Sequence, residues 1–470
     1  MNARAAALAS GLALLGSLAG PPPVAAVEEV FRLGRFGDVR LYHRAPHPSR
    51  VVLFVSGDGG WNAGVVDMAR ALADMDALVV GINILVYLEK LESSDEKCSY
   101  PAADFELLSK AVQQKLGFPE YVTPSLLGYS SGATLVYAVL VQAPPGTFRG
   151  AISMGFCPDL PLKRAMCPGN GLEWTAGPHG KGYSFLPAST LEVPWIALAG
   201  QADKVCGAAA VDTFVRQVPN GTLVLLPKVG HGFSVPRNWL PQLKSAVLRL
   251  DGEREPAGFV PATAPIGDLP VVEVPAHPAV GRRMAMVITG DGGWGATDRG
   301  IARALAGRGV PVVGLNALHY FWKRRTPQEA GADLERILRH YRDAWQADQI
   351  VLIGYSMGAD VLPFLANRLP AALLDQVRSI VLVGPSREVD FQAHVSDWFG
   401  EHARKTDLPV LPEVEKLRGR TLHCYCGDEE EDSLCPELEP GLARVHIVHG
   451  GHRVVSRLEA IADTILATMH

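Results

Sequence analysis

The sequence lacks the features that mark several large classes of protein. Lys and Arg number 44 against 49 Asp and Glu, a net charge of −5, and neither sign gathers into a stripe. A nucleic-acid-binding surface needs a basic patch, so nothing here calls for nucleic acid. Beyond the N-terminus no apolar run approaches the ~20 residues that span a bilayer, and no strongly amphipathic basic helix offers a surface anchor. The glycine-rich strings are not followed by Gly-Lys-Ser/Thr, which speaks against nucleotide binding. Cys424-Tyr425-Cys426 lacks the ligand spacing of a zinc site, and neither a metal nor another cofactor is expected.

What stands at the N-terminus is Met1-Asn2-Ala3-Arg4, an apolar stretch from Ala5 to Ala19, then Pro21-Pro22-Pro23 and the small residues Val24-Ala25-Ala26. This reads as a secretory signal cut after Ala26. The run is short for a retained anchor, and no Cys follows it to carry a lipid. The mature chain is therefore expected to be soluble in a bacterial periplasm. Seven cysteines (Cys98, Cys157, Cys167, Cys206, Cys424, Cys426 and Cys435) fit an oxidising compartment and leave one thiol over. A bridge from Cys435 to either Cys424 or Cys426 would close a loop in the second half, and spacing does not choose between them.

The dominant feature present is a repeat. Gly57-Asp58-Gly59-Gly60-Trp61, Gly128-Tyr129-Ser130-Ser131-Gly132, Asp203 and His231 are echoed, in order and at nearly constant offset, by Gly290-Asp291-Gly292-Gly293-Trp294, Gly354-Tyr355-Ser356-Met357-Gly358, Asp432 and His452. Upstream, Gly37-Asp38 and His47-Pro48 recur as Gly267-Asp268 and His277-Pro278, so each unit opens with a similar strand. The chain is a tandem duplication. Its expected organisation is a signal peptide over 1–26, a first α/β-hydrolase-like domain over 27–250, a linker over 251–265 rich in charge and breakers, and a second domain over 266–470. Each domain is long enough to bury a core of its own.

In both units short β-branched runs alternate with helix-length segments, the pattern of a mostly parallel sheet flanked by helices. The first unit offers strands at 51–55, 77–82, 125–127, 150–153, 194–199 and 222–226. The second offers strands at 284–288, 310–314, 350–353, 380–383, 421–424 and 444–448, with helices at 299–306, 327–345, 357–368 and 454–468.

Gly-x-Ser-x-Gly between a strand and a helix is a nucleophile elbow: the turn strains the serine backbone and lifts its hydroxyl to the top of the sheet. A serine hydroxyl is a weak nucleophile at neutral pH, so it needs a histidine base and an acid to orient that base. The order Ser…Asp…His gives Ser356, Asp432 and His452 as the candidate triad, with Ser130, Asp203 and His231 as a second. Asp432 is chosen over its neighbours Asp428 to Glu431 because it precedes Cys435 as Asp203 precedes Cys206; an acidic run is otherwise a solvated loop. His446 and His449 compete with His452, and alignment with His231 favours His452. The N–H of Met357 behind the serine, with Asp291 and Gly292 in the glycine loop after the first long strand, is the expected oxyanion hole, and Ser131 takes Met357's place in the first unit.

The strings Thr289–Trp294, His319-Tyr320-Phe321-Trp322-Lys323-Arg324-Arg325-Thr326-Pro327 and Gly354–Val361 resemble the VirJ/AcvB family of bacterial virulence proteins, and the likeness extends over the mature chain. The resemblance implies a periplasmic serine hydrolase that cleaves the aminoacyl ester of lysyl-phosphatidylglycerol at the membrane surface, releasing phosphatidylglycerol and the amino acid. It also implies an association with type IV secretion, so the alternatives are an adaptor of secretion-system proteins and an esterase with another substrate. On this reading Ser356, Asp432 and His452 are catalytic. Asp291 or Glu429–Glu431 would attract a cationic head group, and Lys323, Arg324 and Arg325 would meet the lipid phosphate. Trp294 and Tyr320 would line the substrate site, and Phe321 and Trp322 would dip into the acyl layer. The first unit has Val86-Tyr87-Leu88-Glu89-Lys90 where the second has the aromatic, basic string. It is therefore either a second active site or a degenerate partner, and this departure favours the partner.

Overall fold

The computed structural model describes residues 27–252, 266–393, 407–452 and 458–468. The signal segment and nearly all of the linker lie outside them.

The first unit builds an eight-stranded sheet from β1 (Val27–Leu33), β2 (Gly37–His43), β3 (Arg50–Val55), β4 (Ala77–Ile82), β5 (Ser125–Tyr129) and β6 (Ala151–Met154), then two late strands. Helices α1 (Ala63–Ala73), α2 (Ile84–Glu92), α3 (Pro101–Lys115) and α4 (Ser131–Gln142) connect them. A small antiparallel sheet of β7 (Asp159–Leu160), β8 (Trp174–Ala176) and β9 (Tyr183–Phe185) is inserted before β10 (Trp195–Gly200), α5 (Ala208–Val215), β11 (Gly221–Leu226) and α6 (Leu240–Gly252). The order is β1-β2-β4-β3-β5-β6-β10-β11; β1 and β2 are antiparallel additions and the rest run parallel.

The second unit repeats this frame with β12 (Val271–Val274), β13 (Arg283–Ile288), α7 (Ala296–Ala306), β14 (Val312–Leu315), α8 (Ala317–Tyr320), α9 (Pro327–Ala344), β15 (Gln349–Tyr355) and α10 (Met357–Ala366). It continues with α11 (Ala371–Leu374), β16 (Val377–Val383), the short pair β17 (Glu388–Val389) and β18 (Leu408–Pro409), α12 (Leu411–Glu415), β19 (Leu422–Gly427), β20 (Arg444–Val448) and α13 (Leu458–Ala467). Its sheet order is β12-β14-β13-β15-β16-β19-β20, antiparallel only at β12. Both units are α/β-hydrolase-like.

The strands run apolar on both faces, as buried parallel strands must. Val51 to Val55 and Met284 to Ile288 are at most 2 % exposed. Helices start where the sequence supplies caps: Asn62 accepts from the Gly64 N–H at α1, and Thr326 and Glu329 form a reciprocal box at α9 behind Pro327. In each sheet the chain leaves β3 or β13 in one direction and returns on the other side as β5 or β15. The loops after these neighbouring strands therefore meet at the carboxyl edge, at the switch point where open α/β sheets build their sites.

The units pack through α3 and the residues that follow it. The Trp322 indole donates to the Phe118 carbonyl (2.9 Å), Gln114 donates to Ala393 O (2.8 Å), and Tyr121 lies 5.2 Å from the Trp322 ring. Leu318, Trp322 and Ala393 of the second unit join the first unit's core.

Candidate active sites

Both elbow serines sit in the strained conformation their motif demands: Ser130 has φ 55° and Ser356 has φ 53°. Each immediately precedes its helix, α4 or α10, so the first helical N–H groups face the serine. A side chain at Gly358 would meet the Ile288 carbonyl at 2.1 Å, which is why the fifth motif position admits no Cβ.

In the first unit the constellation is closed. Ser130 Oγ lies 2.9 Å from His231 Nε2, and His231 Nδ1 lies 2.9 Å from Asp203 Oδ2. The Asp203 side chain is buried, and its other oxygen accepts the N–H groups of Val205 and Cys206 at 2.8 and 2.9 Å. The Cys157–Cys206 disulfide ties this acid loop to the segment after β6. Asp58 of the glycine loop accepts from the Ser131 hydroxyl.

In the second unit the base is held by a different acid from the one the sequence suggested. His452 Nδ1 stands 3.1 Å from Glu430 Oε1, and the Glu430 side chain is only 9 % exposed. Asp432 is 81 % exposed and pairs with Arg387 at 3.4 Å. The correct register was present in the strand ends. Gly200 and Gly427 close β10 and β19, and the acid stands three residues after each, Asp203 and Glu430. Counting back from Cys435 misleads because the second loop holds two more residues between acid and cysteine. The Cys424–Cys435 bridge then closes that loop, and Cys426 is the buried free thiol.

Glu430 raises the His452 pKa above the ordinary imidazole range by its hydrogen bond, against burial, with Asp360 and Asp291 adding to the field. The imidazole stacks on Tyr355, ring centroids 5.5 Å apart, and lies so close to Gly384 that a Cβ there would come within 2.8 Å of it. Tyr129 and Gly155 repeat both contacts around His231. Among the described residues no hydrogen bond joins Ser356 to His452, a contact that in ligand-free hydrolases commonly tightens only on substrate binding. The rival histidines are occupied elsewhere: His446 stacks on Tyr425 and contacts His423 Nδ1 at 3.0 Å, and exposed His449 pairs with Asp428.

Met357 begins α10 beside Ser356. The Asp291–Gly292 loop faces the first unit: Lys110 Nζ, almost fully buried and paired with Glu106 at 2.8 Å, donates to the Asp291 carbonyl at 3.1 Å. This cross-unit support was not legible in the sequence, since no local pattern relates residue 110 to residue 291. Asp360, one turn beyond Ser356, was also missed. It is 6 % exposed, accepts from the Ser386 N–H at 2.6 Å, and is pushed up to about 8 by burial. Thr134 holds the same place in the first unit and donates to the Cys157 carbonyl.

The expected substrate-contacting string is structural. Tyr320 is buried and donates to Asp333 at 2.6 Å; Trp294 packs on Gly314; Arg324 grips Asp390 with both nitrogens at 2.5 and 2.7 Å; and Arg325 lies over the Tyr320 ring. Phe321 and Trp322 are buried, Trp322 between the units, so neither faces a membrane. Lys323, the remaining cation of the three, is exposed.

Set against known families, the sequence matches the bacterial virulence protein family VirJ over residues 49–154 and 282–470, more than half its length. The chain belongs to the VirJ family. The VirJ match in the first unit ends at Met154, the last residue of β6, so the acid and histidine of that unit lie beyond it. No curated protein matches. Similar solved structures include a lidless α/β serine hydrolase from Xanthomonas campestris (20 % identity over 51 % of this chain and 99 % of that one, TM-score 0.32). An α/β serine hydrolase homologue from Coxiella burnetii (17 %, 47 % and 96 %, 0.32) and esterase 2 from Thermogutta terrifontis (16 %, 52 % and 99 %, 0.33) are others. Family and elbow geometry together mark this VirJ protein as a hydrolase.

Proposed function

We propose that the protein is an exported serine ester hydrolase whose second unit removes the amino acid from aminoacylated phosphatidylglycerol, with lysyl-phosphatidylglycerol as substrate. The carrying observation is His452, paired with Glu430 beside the strained Ser356 in a setting rich in carboxylates. Asp428 to Asp432 are five consecutive acids, and Asp291 lies within the electrostatic reach of His452. Such a field favours an ester whose acyl group is cationic. Export is supported by the apolar N-terminal segment and by three disulfides, Cys98–Cys167, Cys157–Cys206 and Cys424–Cys435.

In this mechanism His452 Nε2 takes the Ser356 hydroxyl proton as Oγ attacks the aminoacyl carbonyl. The oxyanion faces the Met357 N–H and the Asp291–Gly292 loop. His452 returns the proton to the departing glycerol oxygen, releasing phosphatidylglycerol. Water, deprotonated by the same histidine, then frees lysine from the acyl-serine. Glu430 holds the imidazole in the required tautomer and stabilises its charged form.

The test is release of free lysine from lysyl-phosphatidylglycerol vesicles by the purified mature protein, beside Ser130→Ala and Ser356→Ala. Loss with Ser356→Ala alone supports the reading. No release by the folded wild type refutes the substrate, and retained biological function in Ser356→Ala would point to an adaptor.

A further inference from the structure

The first unit carries more machinery than a scaffold requires. Holding a non-glycine residue at φ 55° costs about 1–3 kcal/mol, which a degenerate unit would shed by placing glycine at Ser130. A buried carboxylate such as Asp203 is costly unless it is hydrogen-bonded, and here its partners are the Val205 and Cys206 N–H groups and the His231 imidazole. Serine, imidazole and acid are all within 2.9 Å of their partners.

Its charges differ in character from those of the second unit. The acid loop reads Gln201-Ala202-Asp203-Lys204, one acid balanced by one lysine, where the second unit has five acids in a row. Neutral Thr134 stands in place of Asp360. Beside the glycine loop opens a cavity of about 630 Å³ lined by Trp61, Asn83, Arg32, Arg40, Lys90 and Asp38. Arg32 pairs with Asp38 at 2.6 Å and Lys90 Nζ donates to the Gly34 carbonyl at 3.3 Å, and with Arg40 these groups leave the lining net cationic. Trp61 ends the loop that begins at Gly57, and a Cβ on Gly57 would lie 2.9 Å from Ser130 Cβ. Cavity and serine thus share one loop at the carboxyl edge of the sheet.

We propose that the first unit is a second, independent ester hydrolase, selective for substrates that bear a negative charge near the scissile ester, a carboxylate or phosphate held by Arg40 and Lys90. This goes beyond the aminoacyl-ester reading of the second unit and does not rest on it. Ser130 Oγ attacks the ester carbon while its proton passes to His231 Nε2. The C–O bond to the alcohol breaks and His231 protonates the leaving oxygen. Water then adds to the acyl-serine, giving its proton to His231, and Ser130 recovers a proton as the free acid departs.

The experiment uses the full mature chain, fluorophosphonate labelling, and two activated esters, anionic mono-p-nitrophenyl succinate and neutral p-nitrophenyl butyrate. Ser356→Ala should still label, at Ser130, and should still cleave the succinyl ester; adding Ser130→Ala should abolish both. Arg40→Ala with Lys90→Ala, in the Ser356→Ala background, should lower the succinyl-to-butyryl ratio of kcat/KM about tenfold. A Ser356→Ala protein that melts like the wild type yet neither labels nor cleaves either ester overturns the proposal. Labelling with an unchanged succinyl-to-butyryl ratio in the Arg40 and Lys90 variant overturns the anion selectivity. Lysine release from lysyl-phosphatidylglycerol by Ser130→Ala bears only on the second unit, so the two readings fail separately.

Discussion

The two units share a frame and differ in how they hold the base. The first uses aspartate, locked by two backbone N–H groups and a disulfide that reaches across to the segment after β6. The second uses a glutamate, longer by one methylene, on a loop with two more residues before its cysteine and a bridge local to that loop. The same imidazole position is reached both ways. What is fixed is the frame: strand-end glycine, acid three residues on, and histidine packed against the tyrosine that precedes the serine. What varies is the charge around it, neutral-to-basic in the first unit and strongly acidic in the second.

The largest effect that would break this comparison is removal of each serine. In an intact triad Ser→Ala lowers kcat by roughly 10⁶. Ser356→Ala should do this for a lysyl ester and Ser130→Ala for an anionic ester, each leaving the other reaction. If one substitution silences both reactions in a folded chain, the units do not work as two sites.

The acid comes next. Glu430→Gln should lower second-unit kcat by about 10²–10⁴, the range expected when the orienting carboxylate of a triad is neutralised. Asp432→Asn should change the rate on a neutral ester by less than about threefold. Because Glu430 raises the His452 pKa, and the base must be neutral to act, activity should rise with pH through a midpoint above the usual imidazole value. Glu430→Gln should move that midpoint downward. A large loss with Asp432→Asn and none with Glu430→Gln would restore the acid chosen by cysteine spacing.

Burial of Asp360 separates the units thermodynamically. Its carboxyl is pushed up to about 8 in the folded state, against an ordinary value near 4, so the folded chain binds the extra proton. Stability from this group is complete below pH ~4 and is lost as pH rises through ~8, at about 1.4 kcal/mol per pH unit within that window. Asp360→Asn keeps an acceptor for the Ser386 N–H and should flatten the slope, gaining up to about 3 kcal/mol over the wild type between pH 5 and 7. Denaturant titrations of both proteins at those pH values measure the difference; parallel curves would mean the carboxylate stays ionised. Thr134→Val, at the matching place, should show no such pH dependence.

The serines, the histidines and the first acid were legible because their signals are local: a Gly-x-Ser-x-Gly string must sit at a strand-to-helix turn, and the β-branched runs alternate with helices. Strand limits in both sheets fall within a few residues of the expected ones. Glu430 was hidden because an acidic run offers five equal letters, and the spacing from the acid to the next cysteine differs between the units while the spacing from the strand end does not. Tyr320 to Arg325 read as a substrate string, yet aromatic and basic letters serve equally to cement a core, and Asp333 and Asp390 claim them. The support of one unit's loop by the other unit's helix is tertiary and leaves no periodic trace.

That support gives the smallest effect and the finest test. Lys110 belongs to α3 of the first unit, yet its ammonium holds the Asp291 carbonyl in the glycine loop beside Ser356. In a trans peptide the carbonyl and the following N–H point to opposite sides, so fixing Asp291 O also fixes the direction of the Gly292 N–H. Losing an oxyanion donor outright costs about 10²–10³ in rate, and loosening its peptide should cost less, about tenfold. Lys110→Met should therefore lower kcat of the second unit about tenfold with little change in KM, and leave the first unit's ester hydrolysis within twofold. Equal losses in both units would mean that Lys110 matters through stability alone, and the seam would then join two enzymes without coupling them.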